Sequence, residues 1–205
     1  MQELRGMIQK AQYTNQNFSD KFFEDAMMRN KEFSDCIFDN SDFAGCEMDT
    51  VSFLRCSFVD CRFNGAIIQN CAFLSCIFRF ANLFAVTISH TKFTGSNFLL
   101  ADFTCPTIEN CDFSYCDLRQ KDFSKMSLTD IKFTETDLSE CKFENGTYAC
   151  NFQNANTNGL SFKNSDIRNS QIDGIPVENT CFDHTKIDLE QAIILSRALG
   201  AEFTP

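Results

Sequence analysis

The chain has 205 residues, a formal net charge of −10 and no tryptophan, and 24 of its residues are phenylalanine. Its 18 basic side chains are scattered among 28 acidic ones, which excludes nucleic-acid binding through a basic surface. The sequence shows no Ser-His-Asp pattern, nucleophile elbow or glycine-rich phosphate loop. We therefore expect neither an enzyme nor a cofactor, metal or small-molecule substrate.

A five-residue repeat begins after the first twelve residues, and we expect residues 1–12 to form an N-terminal cap or a mobile segment. From Tyr13 to Tyr148 every fifth residue is Phe, Met, Ile, Leu or Tyr, a position that we call i. After one four-residue step the pattern continues to Ile187, and only Thr157 is polar. A period of five fits neither a helix nor a flat strand, so each pentapeptide must turn the chain by a constant amount. The pattern predicts a solenoid.

The number of repeats in one coil follows from steps of twenty residues. The series that starts at Phe23 is nearly all Phe, whereas the series that starts at Met28 contains no Phe. Four pentapeptides therefore close one four-sided coil, and the 36 repeats predict about nine coils over residues 13–188. Hydrogen bonding between stacked coils makes the fold all-β.

Small residues occupy a second inward position, i−2, where ten of the twelve cysteines stand. We interpret these thiols as small buried groups rather than as metal or redox sites, because no CxxC pair or Cys/His cluster appears. Cysteines twenty residues apart would have parallel Cβ vectors, which disfavours disulfides. Without a signal peptide or an apolar run of transmembrane length, we expect reduced thiols, no membrane contact and a cytoplasmic protein. Lys121 also stands at i−2, where it either extends its stem to the surface or marks a bulge.

Outward positions in the middle of the repeat are unusually apolar. An exposed apolar patch often marks contact with another protein, although scattered apolar surface is common. The candidate partner patch consists of Leu74, Ile77, Phe80, Phe84, Leu99 and Leu100.

Acidic residues follow this patch along the chain. They favour electrostatic steering of a partner, although a solvated exterior is the alternative explanation. The candidate acidic partner-binding surface consists of Asp102, Asp112, Asp117, Asp122, Asp130, Glu135, Asp137, Glu140 and Glu144.

A helix is predicted at the end of the repeat. Asp188 can cap its N-terminus, Gln191 completes a capping box, Arg197 lies in the last turn and Gly200 follows the end. We expect residues 189–205 to be a dimerisation helix and tail, or else a monomeric cap that seals the last coil. The candidate interface residues are Leu189, Ala192, Ile193, Leu195, Leu199 and Phe203.

The pentapeptide period over about 175 of the 205 residues resembles that of the pentapeptide-repeat proteins. This resemblance implies a right-handed quadrilateral β-helix. With its C-terminal helix and the tail from Leu199 to Phe203, the chain is similar to the Qnr, MfpA and AlbG group, without the loop insertions of Qnr proteins from Gram-negative bacteria. Members of that group are head-to-head dimers that bind bacterial type II topoisomerases and protect them from quinolones or peptide toxins, with DNA mimicry as their proposed logic.

For this chain the resemblance implies a homodimer that binds DNA gyrase or topoisomerase IV and confers quinolone resistance. It also implies that Leu189, Ile193, Leu195 and Leu199 match the dimer helix of the group. Because one fold serves several roles, a pentapeptide-repeat scaffold or effector module that binds another protein remains the alternative.

Overall fold

The computed structural model describes residues 8–202, which form two compact units divided between Cys116 and Asp117. Both units consist of short parallel strands joined by tight turns, and a helix follows the strands of the second unit. The first unit contains β1 (Gln12–Thr14), β2 (Met27–Ser34), β3 (Glu47–Leu54), β4 (Ile67–Gln69), β5 (Ala72–Leu74), β6 (Thr87–Ser89) and β7 (Thr107–Glu109). The second unit contains β8 (Ser127–Lys132), β9 (Thr147–Asn151), a 3-10 turn (Val177–Asn179) and α1 (Leu189–Ala198).

Strand pairing in the first unit joins residues twenty positions apart. Phe33 pairs with Phe53, and Phe53 pairs in turn with Phe73, always in parallel register. Isolated bridges such as the one between Ile37 and Ser57 follow the same offset. Four pentapeptides therefore form one coil, and the predicted β-helix is confirmed.

The core of the first unit is a set of stacked phenylalanine rings. The rings of Phe38 and Phe58 lie parallel with centroids 5.1 Å apart, and Phe78 continues the stack at 5.1 Å. A neighbouring stack meets this one edge-on, as Phe53 does with Phe58 at 80°. Offset stacking and edge-to-face contact are the arrangements that aromatic rings prefer, so one residue type fills the interior in two directions.

Small residues at i−2 satisfy inward carbonyl groups. The hydroxyl of Ser41 donates to the carbonyl of Phe18 at 2.8 Å, and the thiol of Cys61 donates to that of Phe38 at 3.0 Å. All ten cysteines at i−2 are buried free thiols, as predicted, whereas Cys105 and Cys181 are exposed. Burial raises the pKa of Cys61 to about 12, so this thiol stays protonated and unreactive at neutral pH.

The corners of the coils use left-handed backbone at position i+2. In the first unit Asp20, Asn40 and Asp60 have φ values of 57°, 60° and 56°. Asp and Asn tolerate this conformation better than other residues with a Cβ, which explains their recurrence at corners.

The second unit absorbs the four-residue step without losing the fold. Asp137 pairs with Asn156, nineteen residues on, and the offset returns to twenty between Asn151 and Gln171. Near the step, a Cβ on Gly146 would overlap the hydroxyl of Tyr148, which donates to the carbonyl of Phe123 at 2.7 Å. Glycine at this position therefore leaves room for the buried tyrosine.

Lys121 does not mark a bulge. Its backbone N–H donates to the carbonyl of Leu118, and its own carbonyl accepts from Lys142, as regular repeats do. The residue is only 7% exposed, so its stem lies inside the second unit.

Candidate protein-binding surfaces

Helix α1 begins at a complete capping box. A carboxylate oxygen of Asp188 accepts from the backbone N–H of Gln191 at 3.0 Å, and the Gln191 side chain accepts from the N–H of Asp188 at 3.1 Å. The N–H of Asn169 donates to the other carboxylate oxygen at 2.8 Å. These N–H groups lower the pKa of Asp188. The predicted helix is confirmed over Leu189–Ala198.

Gln191 joins this helix to the last coil. Its side chain is 1% exposed, and its amide nitrogen donates to the carbonyls of Ile167 at 2.6 Å and Ser170 at 2.8 Å. A polar side chain thus closes the end of the solenoid, because it satisfies the Ser170 carbonyl, which has no further coil to bond, and adds a second bond to the Ile167 carbonyl. The sequence showed Gln191 only as a capping-box residue and carried no signal of this second role.

The apolar residues of α1 are less completely covered. Leu189 is 77% exposed and Leu199 is 68% exposed. Ala192, Ile193 and Leu195 are half-buried. Phe203 lies outside the described residues. Because Gln191 does the sealing, the two exposed leucines have no evident role in holding the helix on the coil.

Many acidic residues of the candidate surface are engaged in turns. In the second unit the carboxylate of Asp122 accepts from the backbone N–H of Ser124 at 2.9 Å, and that of Asp137 accepts from Ser139 at 3.0 Å. Asp117 accepts from the guanidinium of Arg119 at 2.8 Å, which holds the pKa of its carboxyl group below the ordinary value. These aspartates at i−1 form turns that mimic a backbone turn.

The first unit contains two further members of the acidic set, which form the same kind of turn. Asp102 accepts from the N–H of Thr104 at 3.0 Å, and Asp112 accepts from that of Ser114 at 2.9 Å. The spacing of an Asp two residues before Ser or Thr would have revealed this role in the sequence.

The other acidic residues are placed differently. Asp130, Glu135 and Glu140 are exposed corner residues with left-handed backbone, and Glu144 is half-buried. Glu140 accepts from the side-chain amide of Gln120 at 2.9 Å. These corner carboxylates belong to the second unit and project charge without forming an aspartate turn.

The candidate apolar patch lies in the first unit and is only partly continuous. Ile77, Phe80 and Leu100 are 45%, 42% and 55% exposed. The N–H of Phe80 donates to the carbonyl of Leu99, which places the Phe80 and Leu100 corners in adjacent coils. Leu74 and Leu99 are half-buried. Phe84 is exposed but precedes the next corner, so it lies apart from the rest.

Other exposed apolar side chains, all at position i−1, were not predicted as part of a patch. Phe22 and Met27 are 73% and 60% exposed in the first unit, and Ile37 and Ile67 are both 42% exposed. Ile37 occupies the same side of the solenoid as Ile77, forty residues later.

An open groove of about 320 Å³ lies in the second unit beside the four-residue step. Polar side chains dominate its lining, which includes Lys125, Asn145, Asp166 and Lys186. No pattern in the sequence predicted this groove, which differs from the mostly apolar pockets that bind small molecules. Within residues 8–202 no group of three or more His, Cys, Asp or Glu side chains is placed to hold a metal ion. None of the helices in the same range is long and apolar enough to span a membrane.

Parallel coils of twenty residues, a stacked aromatic core and left-handed corners define a β-solenoid built from pentapeptides. A family model described as pentapeptide repeats (9 copies) matches residues 23–67, and one described as pentapeptide repeat region matches residues 66–143. Together they cover more than half of the sequence, and the chain belongs to the pentapeptide-repeat family.

Solved structures share the fold at low sequence identity. One of them is HetL, a pentapeptide-repeat protein involved in heterocyst differentiation regulation in the cyanobacterium Nostoc sp. strain PCC 7120. HetL is 10% identical to this chain with a TM-score of 0.55, and the match covers 90% of this chain and 92% of HetL. Full-length QnrB1, a plasmid-mediated fluoroquinolone resistance protein, is 19% identical with a TM-score of 0.48, and the match covers 93% of this chain and 100% of QnrB1. No curated protein sequence matches the chain significantly.

Proposed function

We propose that the protein is a non-catalytic DNA mimic that acts in the cytoplasm as a homodimer. In this proposal it occupies the DNA-binding surface of a bacterial type II topoisomerase, DNA gyrase or topoisomerase IV, and protects the enzyme from quinolones or related toxins. The observation that carries the proposal is the C-terminal helix, whose leucines at 189 and 199 stay exposed while Gln191 seals the coil. An apolar surface that the monomer does not need is well suited to a second copy.

Charge supports the choice of partner. Residues 117–205 contain fourteen acidic and nine basic side chains, a net charge of −5. Their exposed carboxylates at Asp130, Glu135 and Glu140 would be attracted to a basic DNA-binding surface, and salt would screen that attraction.

A scaffold that binds another protein is the second candidate. It is favoured by the aspartate turns at Asp102, Asp112, Asp117, Asp122 and Asp137, because a carboxylate that shapes the fold needs no binding role. Under this reading the acidic composition follows from the turns rather than from mimicry.

A gyrase supercoiling assay with ciprofloxacin separates the two candidates. The protein should restore supercoiling in the presence of the drug, and the effect should weaken as salt rises. A Leu189→Asp/Leu199→Asp variant should become monomeric by light scattering and lose protection, whereas an Ile67→Asp variant, altered at an exposed residue of the first unit, should keep both. No effect on gyrase or topoisomerase IV at any dose would leave the scaffold as the better explanation.

A further inference from the structure

The middle of the first unit departs from the acidic character of the chain. Residues 51–101 contain four basic side chains and one acidic side chain, a local net charge of +3 in a chain of net charge −10. Two of the basic groups are paired with carboxylates of the preceding coil. Arg55 donates twice to Asp35 at 2.7 Å, and Arg62 lies 3.1 Å from Asp42. The local excess of positive charge is therefore carried by the two remaining groups.

Those groups are Arg79 and Lys92, both exposed. Neither has a carboxylate within 4.0 Å among the described residues. The guanidinium carbon of Arg79 lies 4.8 Å from the centre of the Phe80 ring. A cation held over an aromatic face keeps its N–H donors available and loses little side-chain freedom when it binds a carboxylate.

The corner next to Arg79 has left-handed backbone but is occupied by residue types that this conformation disfavours. Phe80 and Leu100 have φ values of 61° and 60°, and they occupy the corner that Asp20, Asn40 and Asp60 form in the preceding coils. A bulky apolar side chain is unfavourable in left-handed backbone, and here it is also exposed to water. Phe80 and Leu100 are therefore unfavourable both for the local backbone conformation and because they expose apolar surface to water, and they contribute little to the core.

We propose that Arg79, Phe80 and Leu100, which we call the cationic corner, bind an element of the partner protein in which an apolar side chain stands next to a carboxylate. The proposal rests on the proposed function, with the topoisomerase as partner. A basic DNA-binding surface would repel Arg79, so the cationic corner contacts a different part of the enzyme from the one that attracts the acidic residues. The protein thus recognises its partner through two surfaces of opposite charge.

Binding of the full-length protein to purified gyrase heterotetramer tests the cationic corner. A Phe80→Asn/Leu100→Asn variant restores the residue type of the preceding coils, so it should melt no lower than the wild type. Its affinity for gyrase should nevertheless fall about tenfold or more, and Arg79→Glu should cause a loss of similar size. An Ile67→Asn variant, which alters an exposed apolar residue of the first unit outside the candidate patch, should bind as the wild type does.

The outcomes distinguish this inference from the proposed function. If Asp130→Asn/Glu135→Gln weakens binding while the variants of the cationic corner bind normally, the inference is wrong and the proposed function stands. If Arg79→Glu alone binds normally, the carboxylate half of the inference is wrong. If the wild type binds neither gyrase nor topoisomerase IV, both proposals fall together.

Discussion

Replacement of Gln191 by methionine should destabilise the last coil although the helix stays amphipathic. Methionine is similar in length but cannot donate to the carbonyls of Ile167 and Ser170 or accept from the N–H of Asp188. Ile167 keeps its bond from the N–H of Ser170, whereas within residues 8–202 the Ser170 carbonyl has no other partner. One buried carbonyl and one N–H are left unsatisfied, so the free energy of unfolding should fall by roughly 1–3 kcal/mol.

Urea unfolding measures the total loss, and native-state hydrogen exchange locates it. Amides that bond the last coils, such as that of Lys186 to the carbonyl of Ser165, should exchange faster in Gln191→Met, while amides of the first unit should not change. Gln171→Met, at an exposed glutamine of the same unit, should stay within about 0.5 kcal/mol of the wild type. Equal stability and equal exchange in the two variants would refute the sealing role of Gln191.

A Gln191→Glu variant adds a pH signature to the same test. An ionised carboxylate would face two carbonyl oxygens, so burial should raise the pKa of the new glutamate above its unfolded value. Its stability relative to the wild type is then highest below the unfolded pKa and is lost as pH rises through the folded pKa. A deficit that does not depend on pH would contradict this reasoning.

Three further predictions follow from burial and hydrogen bonding. Phe43→Ala should lower the free energy of unfolding by about 3–5 kcal/mol because the ring is fully buried. Phe22→Ala, at a ring that is 73% exposed, should change it by less than about 0.5 kcal/mol. Similar losses of the two variants in urea unfolding would contradict the burial of Phe43. A thiol reagent should label Cys105 and Cys181 rapidly in the folded protein and all twelve cysteines only after unfolding, and mass spectrometry would expose any faster buried thiol. The lowered pKa of Asp188 means that its stabilising effect is present above the unfolded pKa and is lost as pH falls through the folded pKa. Asp188→Asn should therefore reduce the loss of stability at acid pH. An unchanged dependence of the free energy of unfolding on pH in the acid range would count against the cap.

The core of this protein could be predicted from the sequence because its period is strict. Steps of five select Phe38 and Phe58 for the interior, and steps of twenty place them in the same stack, as found. Position i−2 likewise separates the ten buried cysteines from Cys105 and Cys181. A repeated pattern carries the same information many times, so one irregular repeat does not obscure it.

The period alone fixes positions but not side-chain contacts, so a partner can be predicted only where a second, local motif signals it, such as an Asp two residues before Ser or Thr. Composition alone gave Asp122 and Asp130 the same role, although the first forms a turn with Ser124 and the second is a corner residue. The sequence also left open whether Lys121 marks a bulge. Only the backbone hydrogen bonds to its neighbours show that it does not. The dimer interface and the partner-binding residues remain predictions, since they depend on a second molecule.

The aspartate turns separate the charge of this protein from its architecture. At i−1 an asparagine makes the same bond as an aspartate, as Asn82 does with the N–H of Phe84 and Asn97 with that of Leu99, both in the first unit. An exchange of Asp for Asn therefore alters the net charge by one and retains the turn. Over many coils, a lineage can shift the electrostatic potential of the whole surface through single-nucleotide changes (GAT to AAT, for example) while every coil stays in register.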